Sequence, residues 1–446
     1  MTTATKDQTA KMTSAEIAAL SKKHTISEWA VQGAVDPFVI DRAEGIYLYT
    51  PEGKRYIDFN SQLMSVNIGH SDRRVIKALQ QQAEKLCYVA PGFMTTEPRA
   101  RLGAKLAEIT PGDIDVFFFT NGGAEAVENA FKIARAYTGR YKILSRYRSY
   151  HGATAAAMAA TGEPRSWAQP PLPGMIHFAD WYHGVDREDD SAEVALRNLE
   201  EVVMLEGPQT IAAIILESVT GTNGILIPPD GYMQGVRALC DKHGIVMIAD
   251  EVMSGFCRTG EWFAINHWHV VPDLMTMAKG ITSSYVPLGA VGMRRKVADF
   301  FSDKMFPGGL TYSSHALACA TALATIAVYE EDGLIEHTRQ MGAVMADLLA
   351  DLAARHPSVG AIRSIGLFGI VELVRNRKTL APMAPFNGTS PEMTEIGRFF
   401  RQEGLYTFVR WNYFFTNPPL SITEDELHEG FTIIDRALTI ADQAVT

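Results

Sequence analysis

Between about residues 70 and 300 the chain repeats one rhythm: a short apolar run, a turn, then a stretch with helical spacing. The apolar runs are VFFFT (116–120), KILSR (142–146), TIAAIILE (210–217), IVMIAD (245–250), DLMTM (273–277) and GAVGMRR (289–295). Among the helical stretches are RRVIKALQQQAEKL (73–86), AEAVENAFKIARAYTG (124–139) and GYMQGVRALCDKHG (231–244). In the second of these Val127, Ala130, Phe131 and Ala134 fall at i, i+3, i+4 and i+7, and Gly139 supplies a stop. Buried strands alternating with helices predict an α/β fold whose sheet is largely parallel and covered on both faces.

The flanks read differently. GIYLYTPEGKRYIDF (45–59) predicts a hairpin about a Pro-Glu-Gly-Lys turn. After residue 318 an Ala-rich helix leads to a second helix near 334–355. Short strands follow in IRSIGLFGIVELV (362–374) and LYTFVR (405–410), then a closing helix over 423–445. This texture predicts a large domain over 65–317 and a smaller α+β domain over 318–446, joined by the N-terminal segment 1–64. Residues 1–12 are polar, and Thr13 and Glu16 have capping-box spacing ahead of a short helix. The segment 162–174, GEPRSWAQPPLPG, reads as a Pro-rich surface loop, and 186–200 as a charged, solvated face.

Composition narrows the function classes. A net charge of -10 argues against a general nucleic-acid binder, which needs a basic face. The four cysteines, Cys87, Cys240, Cys257 and Cys319, form no CxxC, so neither a zinc ribbon nor a disulfide framework is expected. No membrane span or signal peptide is expected either, and the chain reads as a cytoplasmic protein. His267 and His269 have no evident third ligand, so no metal is expected.

Four features fall at the ends of predicted strands, where open parallel sheets bind ligands. Asn121-Gly122-Gly123-Ala124 turns from a strand into a helix, a place for a phosphate or simply a tight turn. Tyr150-His151-Gly152 sets an aromatic ring after another strand, to stack on a planar ligand or to fill the core. Glu217 and Asp250 end consecutive apolar strands, and a buried carboxylate needs a partner. Lys279 follows an apolar strand, where desolvation makes a nucleophilic amine unless the side chain snorkels outward. Together a phosphate turn, an aromatic stacker, a buried carboxylate and a buried amine are what pyridoxal 5'-phosphate (PLP) needs: the Lys for a Schiff base, the Asp for the pyridinium nitrogen.

The ordered set DEVMSGFCRTG (250–260), PDLMTMAKGI (272–281) and GGLTYSSHALACA (308–320) resembles the class III, or ω-type, PLP-dependent aminotransferases of fold type I. The likeness runs from about residue 25 to 440. It implies a large domain with a seven-stranded, mainly parallel sheet and a smaller α+β domain. It implies Lys279 as Schiff-base lysine and proton carrier, with Asp250 on the pyridine nitrogen. Val252 and Tyr150 would bracket the ring. Gly122, Gly123 and Ala124 would cradle the phosphate, and His151, Gly152 and Glu217 would complete the cofactor site. Thr311 would reach the cofactor of a neighbouring subunit, so an obligate homodimer or dimer of dimers is expected. Leu63, Met64, Phe93 and Tyr150 would line the substrate pocket, and Arg410 would bind a substrate carboxylate, pairing with Glu217 when no acid is present.

The chain departs from the family pattern in places. Gly122 and Ala124 replace the usual Ser hydroxyls, Met253 replaces the Gln of many 4-aminobutyrate and ornithine members, and Met64 stands where many amine transaminases have Trp. With LYTFVRWNYFFTNPPLSIT (405–423), these point to the taurine, β-alanine and amine branch. The expected reaction moves an amino group from an ω-amino acid or primary amine to a keto acid such as pyruvate, by a ping-pong mechanism. Aminomutases, racemases and decarboxylases share the cofactor site and stay open. A nicotinamide dehydrogenase would need the GxGxxG that the chain lacks. A non-catalytic relative is disfavoured by the presence of both Lys279 and Asp250.

Overall fold

The computed structural model describes residues 12–179, 181, 182 and 191–446. The polar N-terminus read over residues 1–12 therefore lies outside the described residues up to position 11, as does the charged run over 186–190. The remainder of that run is a helix, Ala192–Glu206.

Seven strands form the central sheet: β1 (Ile114–Thr120), β2 (Lys142–Arg146), β3 (Met175–Phe178), β4 (Ile211–Glu217), β5 (Val246–Asp250), β6 (Leu274–Met277) and β7 (Gly289–Arg294). Their order is β1-β7-β6-β5-β4-β2-β3. The run from β3 to β6 is parallel, and β7 alone lies antiparallel to both its neighbours. Every residue of β4 and β5 is buried, as expected when helices cover both faces. The helix Gly123–Thr138 covers one face and ends on Gly139 in the left-handed region, as its sequence anticipates.

The register of the parallel strands builds the site. Glu217 of β4 stands level with Asp250 of β5, and Asp250 with Thr276 of β6. In-register residues on neighbouring parallel strands project to the same face, so these ends converge.

Outside the central sheet the chain forms two smaller sheets. In one, Arg42–Glu44, Tyr47–Tyr49 and Arg55–Asp58 form a meander, and Arg55–Asp58 pairs in parallel with Leu405–Tyr406. The N-terminal segment is thus stitched to the C-terminal one. In the other, Val359–Ile365, Phe368–Asn376, Tyr413–Thr416 and Val409–Arg410 pair in sequence. The helix Ala316–Glu331 packs on the helices Arg73–Lys85 and Glu97–Ile109 before the chain enters the second of these sheets. Fully buried Arg258 ties the parts together. It donates to the carbonyls of Leu367 and Pro418, to Ser61 Oγ and to Asn67 Oδ1.

Candidate active site

Asp250, at the end of β5, is held by three partners. Its Oδ1 accepts from the amide of Val252 (3.1 Å) and from Thr276 Oγ1 (3.1 Å), and its Oδ2 lies 2.7 Å from His151 Nδ1. His151 is itself buried, so the pair fixes the direction of the carboxylate. Glu217 accepts from the amides of Tyr150 (3.0 Å) and Gly221 (2.8 Å). Burial pushes its carboxyl above the usual range, and the charge of Asp250 adds to this.

Lys279 follows β6 by two residues and sits in a left-handed backbone conformation, φ 45°, uncommon for a side-chain-bearing residue. The next carbonyl, of Gly280, is anchored by the buried Tyr329 hydroxyl at 2.8 Å. Burial pushes the Lys279 amine down to about 8, against the pull of the Asp250 and Glu217 carboxylates; the Arg165 guanidinium lowers it further. A lysine so placed is a nucleophile near neutral pH.

Lys279, Asp250, Glu217, Tyr150, His151, Gly152, Val252, Gly123 and Ala124 line one cavity of about 260 Å³. A second, more open space of about 380 Å³ adjoins it through Gly123, Ala278 and Lys279, and is lined by Leu63, Asn121 and Gly122 among others. A larger cavity of about 500 Å³ lies against Arg148, Tyr182 and Glu372, and holds none of these groups.

The residues fit PLP. The helix Gly123–Thr138 begins without a side-chain cap, so its first amides are free for an anion. The cradle is shaped by backbone. A Cβ on Gly123 would come within 2.9 Å of Val252, and one on Gly152, at φ +133°, within 2.6 Å of Ala124 Cβ. Space there is kept for a ligand edge by residues that cannot be larger.

Arg410 is not near Glu217 in bonding terms. It pairs with Glu163, a fully buried carboxylate that also pairs with Arg165. This corrects the pairing expected from the sequence: the Glu217 oxygens are already taken by two amides. The Arg165 guanidinium lies 3.8 Å over the Tyr150 ring and donates to Thr222 Oγ1 at 3.1 Å. Glu163 and Arg165 come from the Pro-rich segment read as a surface loop, of which Pro164–Ala168 is a short helical turn.

The remaining expected residues are more scattered. Met64 is 1% exposed and belongs to the core rather than the cavity wall. The cause is the turn 60–64, where buried Asp58 accepts from the amides of Asn60 and Gln62. Ser61, Gln62 and Met64 take positive φ, so Leu63 turns outward and Met64 inward. Phe93 is 92% exposed, and Thr311 is on the surface with its carbonyl accepting from Tyr88 Oη at 2.8 Å. Neither lines its own chain's cavity.

A seven-stranded α/β sheet with a buried lysine, a strand-end aspartate and an uncapped glycine turn defines a PLP-dependent transferase of fold type I. The Aminotransferase class-III family model matches residues 30–438. The chain is 36% identical to an omega-aminotransferase of Caulobacter vibrioides, over 91% of this chain and 94% of that one. It is 33% identical to a taurine–pyruvate aminotransferase of Bilophila wadsworthia, over 96% and 98%. Among solved structures, the taurine:2-oxoglutarate aminotransferase of Bifidobacterium kashiwanohense, in complex with PLP and glutamate, superposes with a TM-score of 0.94. That pair shares 40% identity and covers 98% of this chain and 100% of the other. The chain belongs to the class III aminotransferases. It is a PLP-dependent enzyme whose substrates are an amine and a keto acid. Among the described residues no helix is long and apolar enough to cross a membrane.

Proposed function

We propose that the enzyme moves the amino group of an ω-amino acid with an acidic far end, such as taurine or β-alanine, or of a simple primary amine, to a keto acid such as pyruvate. One observation carries the substrate class: two guanidinium groups, of Arg165 and Arg410, flank the buried Glu163 carboxylate, and Arg165 stacks on Tyr150 and bonds Thr222, two residues that line the cavity. Cations so placed suit a sulfonate or carboxylate. The likeness to a taurine–pyruvate and a taurine:2-oxoglutarate enzyme supports the same reading.

In this reading Lys279 holds the cofactor covalently and carries the proton to and from the substrate Cα. Asp250, oriented by His151, binds the protonated pyridine nitrogen. Tyr150 and Val252 flank the ring, and the amides of Gly122, Gly123 and Ala124 hold the phosphate, with His151, Gly152 and Glu217 around it. Bound there, PLP supplies the electron sink that makes the Cα–H bond labile. Lys279 suits its role because its amine, at about 8, gains and loses a proton readily near neutral pH. Donor and acceptor occupy one pocket in turn, so the group that binds an acid must tolerate its absence. The test of the substrate class is a donor screen, with taurine, β-alanine and monoamines against pyruvate and 2-oxoglutarate, read at the cofactor absorbance. Turnover restricted to α-amino donors would refute it.

Arg410 binds the acid group of the keto acid. Arg410→Ala is expected to raise KM for pyruvate by about 10–100-fold, the loss of a charge-assisted contact of about 1.5–3 kcal/mol. Turnover of an uncharged amine at saturating acceptor changes much less. An unchanged KM for pyruvate would assign the acid to another residue.

The active unit is a homodimer or dimer of dimers. Phe93, Met94, Met305 and Tyr312 are exposed apolar residues, and Tyr312 packs edge-on to Tyr88 beside Thr311. Such a surface expects a partner, and Thr311 then faces the phosphate of the neighbouring subunit's cofactor. Thr311→Ala is expected to weaken cofactor retention. Mixing it with Lys279→Ala under subunit exchange restores activity, because some heterodimers carry one intact site. A fully active monomer by light scattering would contradict this. A cytoplasmic location belongs to the same reading, and Cys87, Cys240, Cys257 and Cys319 are all free thiols.

A further inference from the structure

The cavity of about 500 Å³ has no part in holding PLP. One wall comes from the chain after β2 and β3, with Arg148 and Tyr182; the other carries Glu372, Phe386, Trp411 and Asn412. A cation sits here among rings. The Arg148 guanidinium carbon lies 5.0 Å from the Tyr182 ring centroid, 5.4 Å from that of Trp411 and 5.5 Å from that of Phe386. The Phe386 and Trp411 rings are in contact, with centroids 4.4 Å apart. Both Arg148 (φ 59°) and Trp411 (φ 51°) are held in the left-handed region, uncommon for residues with side chains. Arg148 Nη2 donates to the Asn223 carbonyl at 2.9 Å, but its Nε is buried and has no hydrogen-bond partner among the described residues. A buried donor left unpaired is costly. The carboxylate on the wall does not serve it: Glu372 Oε2 accepts from Arg363 at 2.7 Å, and its Oε1 from Asn412 Nδ2 at 3.4 Å. Arg363 offsets the charge of Glu372, so Arg148 leaves the cavity with one positive charge to be met.

We propose that this cavity is a second ligand site, separate from the active site, for a planar aromatic acid: the carboxylate accepts from Arg148 and the ring lies against Phe386 and Trp411. The walls discriminate among ligand classes. An aromatic cation would meet rings that already face a guanidinium, and would be repelled by it. A neutral aromatic would gain the ring contacts but leave Arg148 Nε unpaired. A small inorganic anion would pair with Arg148 but cover none of the aromatic wall. An aromatic acid satisfies the donor and covers the rings at once. The site stands whichever amine and keto acid the enzyme turns over, because it shares no lining residue with the cavity around Lys279.

The test is calorimetric titration of the PLP-loaded enzyme with three probes that share an indole ring: indole-3-acetate, an anion; indole-3-acetamide, its neutral counterpart; and gramine, a cationic tertiary amine that cannot form a Schiff base. Pyruvate is present at saturation, so that the acid-binding part of the active site is filled. Indole-3-acetate is expected to bind under these conditions about tenfold or more tighter than the amide, with gramine the weakest of the three. Arg148→Met, which keeps the apolar stem and removes the charge, is expected to abolish the preference for acid over amide. Phe386→Ala removes a ring that is 50% exposed, and is expected to weaken acid and amide alike by about threefold or more. No binding of indole-3-acetate overturns the proposal, as does gramine binding as tightly as the acid. Binding seen only when pyruvate is left out would put the acid in the active site and overturns it too. So does an acid preference that survives Arg148→Met. Should that variant fail to fold, Phe386→Ala carries the test, and unchanged affinity for indole-3-acetate there overturns the site.

Discussion

Replacing Lys279 with Ala is expected to lower transamination by on the order of 10⁴-fold, the upper range for a lost general acid–base group. The protein should fold, because the position contributes its amine to a cavity rather than a side chain to the core. The variant should still bind PLP through the Asp250 side and the glycine turn, but without a covalent bond. The amine is pushed down to about 8 by burial. Only the neutral amine attacks a carbonyl, so capture of PLP by the cofactor-free wild type should speed up as pH rises through about 8 and level off above it. A free lysine would not level off until above about 10.4. Stopped-flow absorbance at several pH values measures this. A capture rate still climbing steeply above pH 9.5 would contradict the assignment.

Asp250→Asn is expected to slow removal of the Cα proton by orders of magnitude while leaving the fold intact. Asn retains an oxygen for the Val252 amide and Thr276 Oγ1, both at 3.1 Å. It loses the negative charge that keeps a pyridine nitrogen protonated, and His151 loses its carboxylate partner at 2.7 Å. Single-turnover kinetics with a good amine donor reads the step. A fall of less than about tenfold, roughly 1.4 kcal/mol of barrier, would mean that Asp250 does not hold the ring nitrogen.

The strand ends were legible in the chain because they depend on local pattern. An apolar run that closes on a carboxylate or precedes a lysine marks where a sheet meets its ligand, and Glu217, Asp250 and Lys279 all follow that rule. The strand Met175–Phe178 was not legible, being only four residues long and buried at just one of them. The helix Glu97–Ile109 was missed although Thr96 caps it, Pro98 opens it, and Leu102, Leu106 and Ile109 fall at i, i+4 and i+7. Met64 was misplaced because spacing cannot show a turn with three positive φ values.

Glu163 and Arg165 were missed for a more general reason. Glu163 pairs with a residue 247 positions away, and nothing local separates GEPR from an ordinary surface loop. Conversely, Glu217 looked available to Arg410 because a sequence cannot show that two backbone amides already use its oxygens. Ion pairs between segments far apart in the chain are the least local feature of this site.

Every role assigned at this site depends on Lys279 as the residue that holds PLP. Borohydride reduction of the PLP-loaded enzyme, followed by proteolysis and mass spectrometry of the labelled peptide, tests it in one step. The result expected is a single reduced adduct on Lys279, in the peptide spanning MTMAKGI (275–281). A stoichiometric adduct on any other lysine would contradict it.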